Sequence, residues 1–109
     1  MILKRKYNLD IVPGGLPLLI RASRKDTSST LVFSLFAGKG KLDVPEETNA
    51  VIRGKTSVPA TFTIVNGIPT VTVDLTAEMT DTAGWIPFEI VLTNDGYTLV
   101  TATLYLDVR

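Results

Sequence analysis

Residues 70–108 decide the fold class of this chain, and they read TVTVDLTAEMTDTAGWIPFEIVLTNDGYTLVTATLYLDV. Every second residue from Val71 to Leu75 is apolar, which is typical of a strand with one buried face. Thr76 can then cap a short helical turn that ends near Asp81, with Leu75 and Met79 sharing an inward face. After that turn the alternation resumes and continues to the end of the stretch. The stretch therefore predicts a strand, one helical turn between Thr76 and Asp81, and a long hairpin.

The register of this hairpin can be predicted because residues that face each other lie on the same side of a sheet. A two-residue turn at Asp95-Gly96 would mix inner and outer residues. A three-residue loop, Asn94-Asp95-Gly96 with Gly96 in the left-handed conformation, keeps the faces consistent, so we predict that loop. Its inner pairs are Ile90 with Val100, Phe88 with Ala102, and Ile86 with Leu104. The same register places Trp85 opposite Tyr105 on the outer face, beside Glu89.

A second hairpin is predicted at Asn66-Gly67, a dipeptide that favours a two-residue turn. The inner pairs of this hairpin are Phe62 with Val71 and Ala60 with Val73, and the outer pairs are Thr61 with Thr72 and Thr63 with Thr70. Inner and outer residues agree in polarity across both strands. The two-residue turn is therefore the predicted connection here.

The remaining strands follow the same alternation, as in the inward row Leu31, Phe33 and Leu35. Pro87 conflicts with a central strand because it cannot donate a ladder hydrogen bond, so we expect a bulge there or an open edge on one side. Short strands separated by turn signals, with one helical turn, predict an all-β, immunoglobulin-like antiparallel β-sandwich of about seven to eight strands. We expect it to form a single domain over residues 1–109.

Composition limits the chemistry that this protein can perform. The chain has 109 residues, no cysteine and no histidine, so it lacks thiol nucleophiles, disulfides and the commonest general base and metal ligand. Its formal net charge is zero, but residues 1–55 carry ten of the eleven basic residues and residues 56–109 carry six of the eleven acidic ones. This asymmetry could help copies of the chain, or the chain and a neighbour, to pack head to tail, but we favour the simpler explanation that solvated strand faces divide the charges in this way. We find no membrane-spanning or secretion signal, since the longest apolar run, residues 16–20, is too short.

No motif in the sequence predicts catalysis. Gly54-Lys55-Thr56 resembles the end of a P-loop, but the preceding glycine and the following helix are missing. The glycine-lysine segment at residues 38–41 is more typical of a solvated turn than of a phosphate site. Each candidate carboxylate has a structural explanation, and these are Asp74, Glu78, Asp81 and Glu89. We therefore predict no enzyme activity, no cofactor, no metal site and no nucleic-acid binding.

Two groups of residues are the candidates for protein contacts. Lys4, Arg5 and Lys6 form a basic N-terminal strand, and Trp85, Glu89 and Tyr105 lie together on the predicted outer face of the hairpin. The aromatic pair can be explained in two ways. The rings could pack within the domain, as large aromatics usually do, or they could form an exposed patch that binds a partner protein or a sugar ring.

The order of several stretches resembles a known family, the N-terminal domain of phage upper baseplate proteins. The stretches that carry the resemblance are residues 7–11, 21–35, 51–55, 75–80 and 83–84, and the closing strand to Val108. The most specific of these is the leucine-threonine-x-x-methionine turn that precedes Gly84. The resemblance covers nearly the whole chain.

The resemblance implies an immunoglobulin-like structural protein of a bacteriophage virion, made in the host cytoplasm, with no catalytic step. Its partners would be other tail, baseplate or capsid subunits, and a homo-oligomer stays open. The alternatives are a capsid-decorating or head-fibre base protein, and a carbohydrate-binding module that attaches the particle to a host-surface glycan.

Overall fold

The computed structural model describes residues 3–12, 17–38, 40–101 and 103–109. Within these residues the chain forms ten β-strands and no helix. The strands are β1 (Leu3–Asp10), β2 (Leu19–Ala22), β3 (Ser29–Ala37), β4 (Gly40–Lys41), β5 (Asn49–Arg53), β6 (Ser57–Val65), β7 (Ile68–Asp74), β8 (Gly84–Asn94), β9 (Tyr97–Val100) and β10 (Leu104–Val108). The all-β prediction is confirmed. The strand number exceeds the predicted seven to eight because the last predicted strand is divided into β9 and β10 and because β4 is a two-residue addition to β3.

The strands form one curled sheet with the order β1-β3-β7-β6-β5-β8-β10-β2. We call β1, β3, β4 and β7 the first sheet and β5, β8, β9, β10 and β2 the second sheet, with the long strand β6 joining them. Most pairs are antiparallel, as predicted. Two pairs, β1 with β3 and β2 with β10, are parallel. In each pair an end strand of the sheet runs in the same direction as its neighbour. β1 and β2 follow each other in sequence but lie at opposite ends of the strand order.

The core lies between the two sheets and is formed by the inward residues of both. The Phe33 ring of β3 lies 6.5 Å from the Phe88 ring of β8, and Tyr7 of β1 stacks on Phe33 at 5.8 Å. The largest fully buried side chains of the described residues are Ile20, Leu31, Phe33, Leu35, Ile52, Pro69, Val71, Thr80, Ile90, Leu92, Leu104 and Leu106. Residues from both sheets thus share one apolar interior.

The segment between β7 and β8 contains the predicted turn in a shorter form. The Met79 backbone N–H donates to Thr76 Oγ1 at 3.2 Å, and the Thr80 N–H donates to the Ala77 carbonyl at 3.3 Å. Leu75 and Met79 are both buried, as predicted. Thr76 therefore caps a single turn, which is too short to form a helix.

The β6–β7 hairpin confirms its predicted turn. Asn66 and Gly67 both have positive φ, at 51° and 77°, which is the conformation of a tight hairpin turn. Pairing runs from Val65–Ile68 to Thr61–Thr72 and includes the predicted Phe62–Val71 and Thr63–Thr70 pairs. The predicted Ala60–Val73 pair is wrong. Ala60 is paired with Ala50 of β5, because β6 passes from one sheet to the other at this point.

The predicted register of the β8 hairpin is wrong. Asn94 is paired with Tyr97, so the loop has two residues, and Gly96 is not left-handed. Val91, rather than Ile90, faces Val100, which makes Val100 an outward residue that is 39% exposed. The predicted Phe88–Ala102 pair lies outside the described residues. The predicted Ile86–Leu104 pair is wrong, because Ile86 faces Leu106.

A register shift between β9 and β10 explains why the prediction failed. The Ile90 backbone N–H donates to Thr101 Oγ1 at 3.0 Å, and the Thr101 N–H donates to the Ile90 carbonyl at 3.0 Å. Beyond this point Leu104 faces Phe88, which moves the pairing by one residue relative to β9. One extra residue in a strand reverses the side on which later residues lie. Leu104 therefore still points inward, as predicted, although Val100 does not.

Candidate docking surface

The outer face of the second sheet carries an exposed aromatic pair. Trp85 is 62% exposed, and its ring lies 5.9 Å from the ring of Tyr105 with an angle of 50° between the planes. Their predicted direct pairing is wrong, because Trp85 faces Asp107 and Tyr105 faces Pro87. The rings are diagonal neighbours, a distance that aromatic side chains can bridge. Of the two explanations considered for this pair, the exposed position of Trp85 matches the patch and not internal packing.

Two further residues extend this pair across three strands. Tyr105 of β10 lies between Pro87 of β8 and Leu19 of β2 in one cross-strand row. Leu19 is 45% exposed, and Pro87 is also exposed. We call Leu19, Trp85, Pro87 and Tyr105 the aromatic patch. Leu19 could not be assigned to it from sequence, because the parallel pairing of β2 with β10 leaves no short-range signal.

A second apolar row crosses the same face closer to the β8–β9 turn. It consists of Pro59, Val51, Val91 and Val100, which are successive partners on β6, β5, β8 and β9. Paired residues lie on the same face of a sheet, so all four point outward. We call them the valine row.

An ion pair separates the valine row from the aromatic patch. Arg53 of β5 faces Glu89 of β8, and Arg53 Nε donates to Glu89 Oε1 at 2.8 Å. The side chains remain 52% and 29% exposed, so the pair contributes little to stability. It does hold both charges in one place between two apolar regions. Glu89, a predicted contact residue, therefore lies at the edge of the aromatic patch.

Pro87 lies where β8 extends beyond the end of β5. The last β5–β8 pair is Arg53–Glu89. Tyr105 faces Pro87, and its backbone N–H donates away from β8, to the Leu18 carbonyl at 3.0 Å. The nitrogen and carbonyl of Pro87 therefore point toward the side on which β5 has ended. This confirms the prediction of an open edge beside Pro87. Proline has no N–H to donate, and on this side no ladder hydrogen bond is required.

A cavity of about 460 Å³ opens beside Pro87, between it and the Arg53–Glu89 pair, and Gly54 and Thr103 also line it. Gly54 is packed closely against β8. A Cβ on Gly54 would lie 2.8 Å from the Pro87 carbonyl oxygen and 3.0 Å from Phe88 Cβ. Gly54 belongs to the segment whose resemblance to a P-loop was rejected above. The structure shows that a glycine is required here for close packing of two strands.

The basic N-terminal strand does not form one patch. Lys4 and Lys6 are exposed on the outer face of the first sheet, whereas Arg5 is half-buried on the inward row. The Arg5 guanidinium lies 5.8 Å from the Tyr7 ring centroid and donates to the carbonyl of Arg21. The predicted contact residues therefore occupy three separate places: Lys4 and Lys6, Arg5, and the group of Trp85, Glu89 and Tyr105.

Three of the four carboxylates tested for catalysis, Asp74, Asp81 and Glu89, have local partners. Asp81 Oδ1 accepts from Lys55 Nζ at 2.6 Å and from Thr82 Oγ1 at 3.0 Å, and these hydrogen bonds hold the pKa of Asp81 below its usual range. Asp74 Oδ1 accepts from Thr30 Oγ1 at 2.6 Å. Within the described residues no three Asp or Glu side chains gather as a metal site would require. That part of the chain also contains no helix of the length and apolar character needed to cross a membrane.

Fold and surface together define a class, a two-layer all-β fold whose second sheet carries an exposed aromatic patch and an apolar row on its outer face. No protein-family model and no curated protein matches the sequence. Among solved structures the chain is similar to the N-terminal domain of phage TP901-1 ORF48, with a TM-score of 0.73 over 99% of both chains and 12% sequence identity. The resemblance to a phage N-terminal domain is therefore confirmed at the level of the fold.

Proposed function

We propose that this chain is a non-enzymatic, immunoglobulin-like structural protein of a bacteriophage virion, which docks onto other virion subunits through the outer face of its second sheet. The observation that carries the proposal is the fold match to a phage domain over the whole length of both chains. The exposed aromatic patch supports the docking part of the proposal. A tail or baseplate adaptor is the role that we favour.

The composition of the second sheet's outer face supports protein contact. Tryptophan and tyrosine dominate the binding energy of many interfaces because they bury a large area at a low entropic cost. Trp85 remains 62% exposed, although inward residues of the same strand, such as Phe88, are buried. The polar Arg53–Glu89 pair beside it is typical of the rim of such an interface.

The positions of the acidic residues support a role without catalysis. Asp81 and Glu89 are in ion pairs with Lys55 and Arg53, and Asp74 accepts a threonine hydroxyl. The chain also contains no histidine or cysteine that could act as a base or nucleophile. A docking function requires none of these groups.

The ring geometry disfavours the carbohydrate-binding alternative. A flat sugar platform needs aromatic rings that are nearly coplanar, and Trp85 and Tyr105 are tilted by 50°. A glycan array with tryptophan fluorescence titration tests this point directly. A fluorescence shift at sugar concentrations up to the millimolar range would favour the adhesion module over the docking domain.

The proposal is tested by locating the chain in phage particles. Purified particles from the phage that encodes the chain are analysed by mass spectrometry and labelled with gold-conjugated antibody against it. We expect the chain in the particles, with label at the tail end. Label on the head would replace the tail adaptor by a capsid-decorating protein, and absence of the chain from particles would contradict a virion role.

A further inference from the structure

The curled sheet has an open seam where its two end strands face each other. β1 is paired with β3 alone, and β2 is paired with β10 alone, among the described residues. A side-chain contact crosses the seam, from the Arg5 guanidinium to the Arg21 carbonyl. The seam adjoins the aromatic patch at Leu19, but the proposed docking function does not use its backbone edge or its arginine side chains.

The β2 side of the seam presents unpaired backbone groups. The N–H groups of Tyr105 and Arg109 donate to the carbonyls of Leu18 and Ala22. In a parallel ladder the alternate residues Leu19 and Arg21 direct their own N–H and C=O groups away from β10. The Arg21 carbonyl accepts from the Arg5 guanidinium. The N–H and C=O of Leu19 and the N–H of Arg21 remain as backbone groups at an open edge, which is the geometry that accepts an added strand.

Arginine side chains line a cavity of about 350 Å³ at this seam. Arg5, Arg21 and Arg109 all contribute to its walls. Arg5 donates to a backbone carbonyl and Arg109 is paired with Asp107 at 3.0 Å. Within the described part of the chain, the Arg21 guanidinium has no hydrogen-bonding partner.

The single carboxylate in the cavity wall does not neutralise these cations. Asp26 Oδ1 accepts from the Ser28 backbone N–H at 2.8 Å and from the Ser28 hydroxyl at 2.9 Å, and Oδ2 accepts from the Ser29 hydroxyl at 2.9 Å. These bonds hold the pKa of Asp26 below its usual range, the Ser28 N–H most of all. Asp26 therefore stays ionised, and with Asp107 beside Arg109 the three guanidinium charges at the cavity are opposed by two carboxylates, which leaves an excess of one positive charge.

We propose that this seam binds an extended acidic segment of a partner protein, which adds to the open edge of β2 and places its carboxylates against Arg21 and Arg5. Two independent features favour this occupant. The open backbone groups require an extended peptide, and the arginine side chains require carboxylates, which they bind in a bidentate manner. A small anion would satisfy only the second feature.

The test uses the intact chain and a synthetic peptide of about six residues, the length of an ordinary strand, in which glutamate and valine alternate. Trp85 is the sole tryptophan and lies in one cross-strand row with Asp107 and Arg21, so its fluorescence can report binding. Backbone amide shifts of Leu19 and Arg21 give a second readout. We expect saturable binding, and no binding of a matched peptide in which prolines replace the valines, because proline cannot donate to the edge.

The matched variants are Arg21→Gln and Arg24→Gln. Each removes one exposed positive charge, but Arg24 does not line the cavity. We expect Arg21→Gln to weaken peptide binding by about tenfold or more, as for the loss of a charge-assisted contact, and Arg24→Gln by less than about twofold. Neither side chain is buried, so both variants should keep the circular dichroism spectrum of the original chain.

Three outcomes would overturn the inference. The first is no binding up to millimolar peptide. The second is equal weakening by both variants, which would indicate general electrostatic attraction. The third is equally strong binding of the proline peptide or of tripolyphosphate, which would indicate an anion site without strand addition. All of these measurements are made without phage particles, so they are independent of the test of the virion role.

Discussion

The outer faces of the two sheets have the same strand alternation but different surfaces. On the first sheet the outward positions form threonine-rich rows, such as Thr72 with Thr61 and Thr70 with Thr63. On the second sheet the corresponding positions hold the valine row and the aromatic patch. The inward residues of both sheets are equally apolar, so the outward residues alone distinguish a face suited to water from one suited to a partner.

Local hydrogen bonds satisfy the hydroxyl groups of two buried threonines of the first sheet, Thr70 and Thr30. Thr70 Oγ1 donates to the Ile68 carbonyl at 3.0 Å, and Thr30 Oγ1 donates to Asp74 at 2.6 Å. Threonine also keeps the branched shape that favours strands. The second face has the same strand-forming shapes in its valines but no hydroxyl groups at those positions. We therefore expect the binding energy for a partner to reside on the second face.

The largest effect is expected from removing both aromatic rings. Trp85→Ser together with Tyr105→Ser should weaken binding to the virion partner by at least about 2 kcal/mol, roughly thirtyfold in Kd, because interface tryptophan and tyrosine are frequent hot spots. Incorporation into particles and pull-down from particle extracts measure this effect. The exposed position of Trp85 predicts little loss of thermal stability.

The control for this variant lies on the first face. Lys4→Ser with Lys6→Ser removes two exposed charges from that face and should leave incorporation within about twofold of the original. Arg5 is left in place because it contacts Tyr7 and Arg21. Strong loss in the lysine variant with normal incorporation of the aromatic variant would reverse the comparison.

The next effect concerns the close packing that supports the second face. In Gly54→Ala the new Cβ would meet the Pro87 carbonyl oxygen and Phe88 Cβ, and such overpacking costs about 1–3 kcal/mol. Thermal unfolding should show a decrease in Tm of at least several degrees. Gly96→Ala is the matched control, since its nearest atom would be Asn94 Oδ1 at 3.7 Å. Equal Tm values for the two variants would show that β8 moves away without cost.

A smaller effect is expected at the register shift. Thr101→Val removes the hydroxyl that accepts the hydrogen bond of the buried Ile90 N–H, and an unsatisfied buried donor costs about 1–2 kcal/mol. Urea unfolding measures the loss, with the exposed Thr103→Val as control. Hydrogen exchange at Ile90 should accelerate in the Thr101 variant. Unchanged protection would mean that the shift does not depend on this side chain.

The smallest effect is a pH dependence at the far end of β1. Asp10 Oδ1 accepts the N–H groups of Val12 at 2.9 Å and Gly38 at 2.8 Å, and these bonds lower the pKa of Asp10 below its ordinary value of 3.8. Because the folded pKa is the lower one, the stabilisation is complete above pH 3.8 and disappears as the pH falls through the folded pKa.

This pH dependence can be measured with Asp10→Asn. The difference in unfolding free energy between the original chain and the variant should shrink as acid is added below about pH 4. Asp43→Asn, an exposed carboxylate in another loop, provides the control. A difference that stays constant down to pH 2 would contradict the assignment to ionised Asp10.

The two hairpins show how far sequence could predict the structure. At Asn66-Gly67 the turn type and the face polarity agree, so the register was predictable. At Asp95-Gly96 the two-residue turn is also present, but consistency of faces argued against it. The one-residue register shift between β9 and β10 explains both observations. It reverses the faces within the stretch, so the alternation appears inconsistent with a two-residue turn.

The candidate surface was predictable only in part. Trp85, Glu89 and Tyr105 were grouped correctly on one outer face because strand alternation fixes which side each faces. Leu19 was missed because it joins this face through the pairing of β2 with β10, which are distant in sequence. The valine row was missed because Val100 was predicted to face inward and the β5–β8 pairing could not be predicted. The strand alternation places Arg5 on the apolar side of β1, but its contacts there could not be predicted. Its inward position becomes favourable only when Tyr7 and the Arg21 carbonyl are beside it.

Local patterns in the sequence determined the all-β class, the turn at Asn66-Gly67, the Thr76 cap and most of the buried residues. These depend on residue type and short spacing, which act within a few positions of the chain. The tertiary structure alone decided the parallel end strands, the seam that Arg5 crosses and the full extent of the aromatic patch. Each of these brings together residues remote in sequence, and their contacts form only after the sheet has curled around its core.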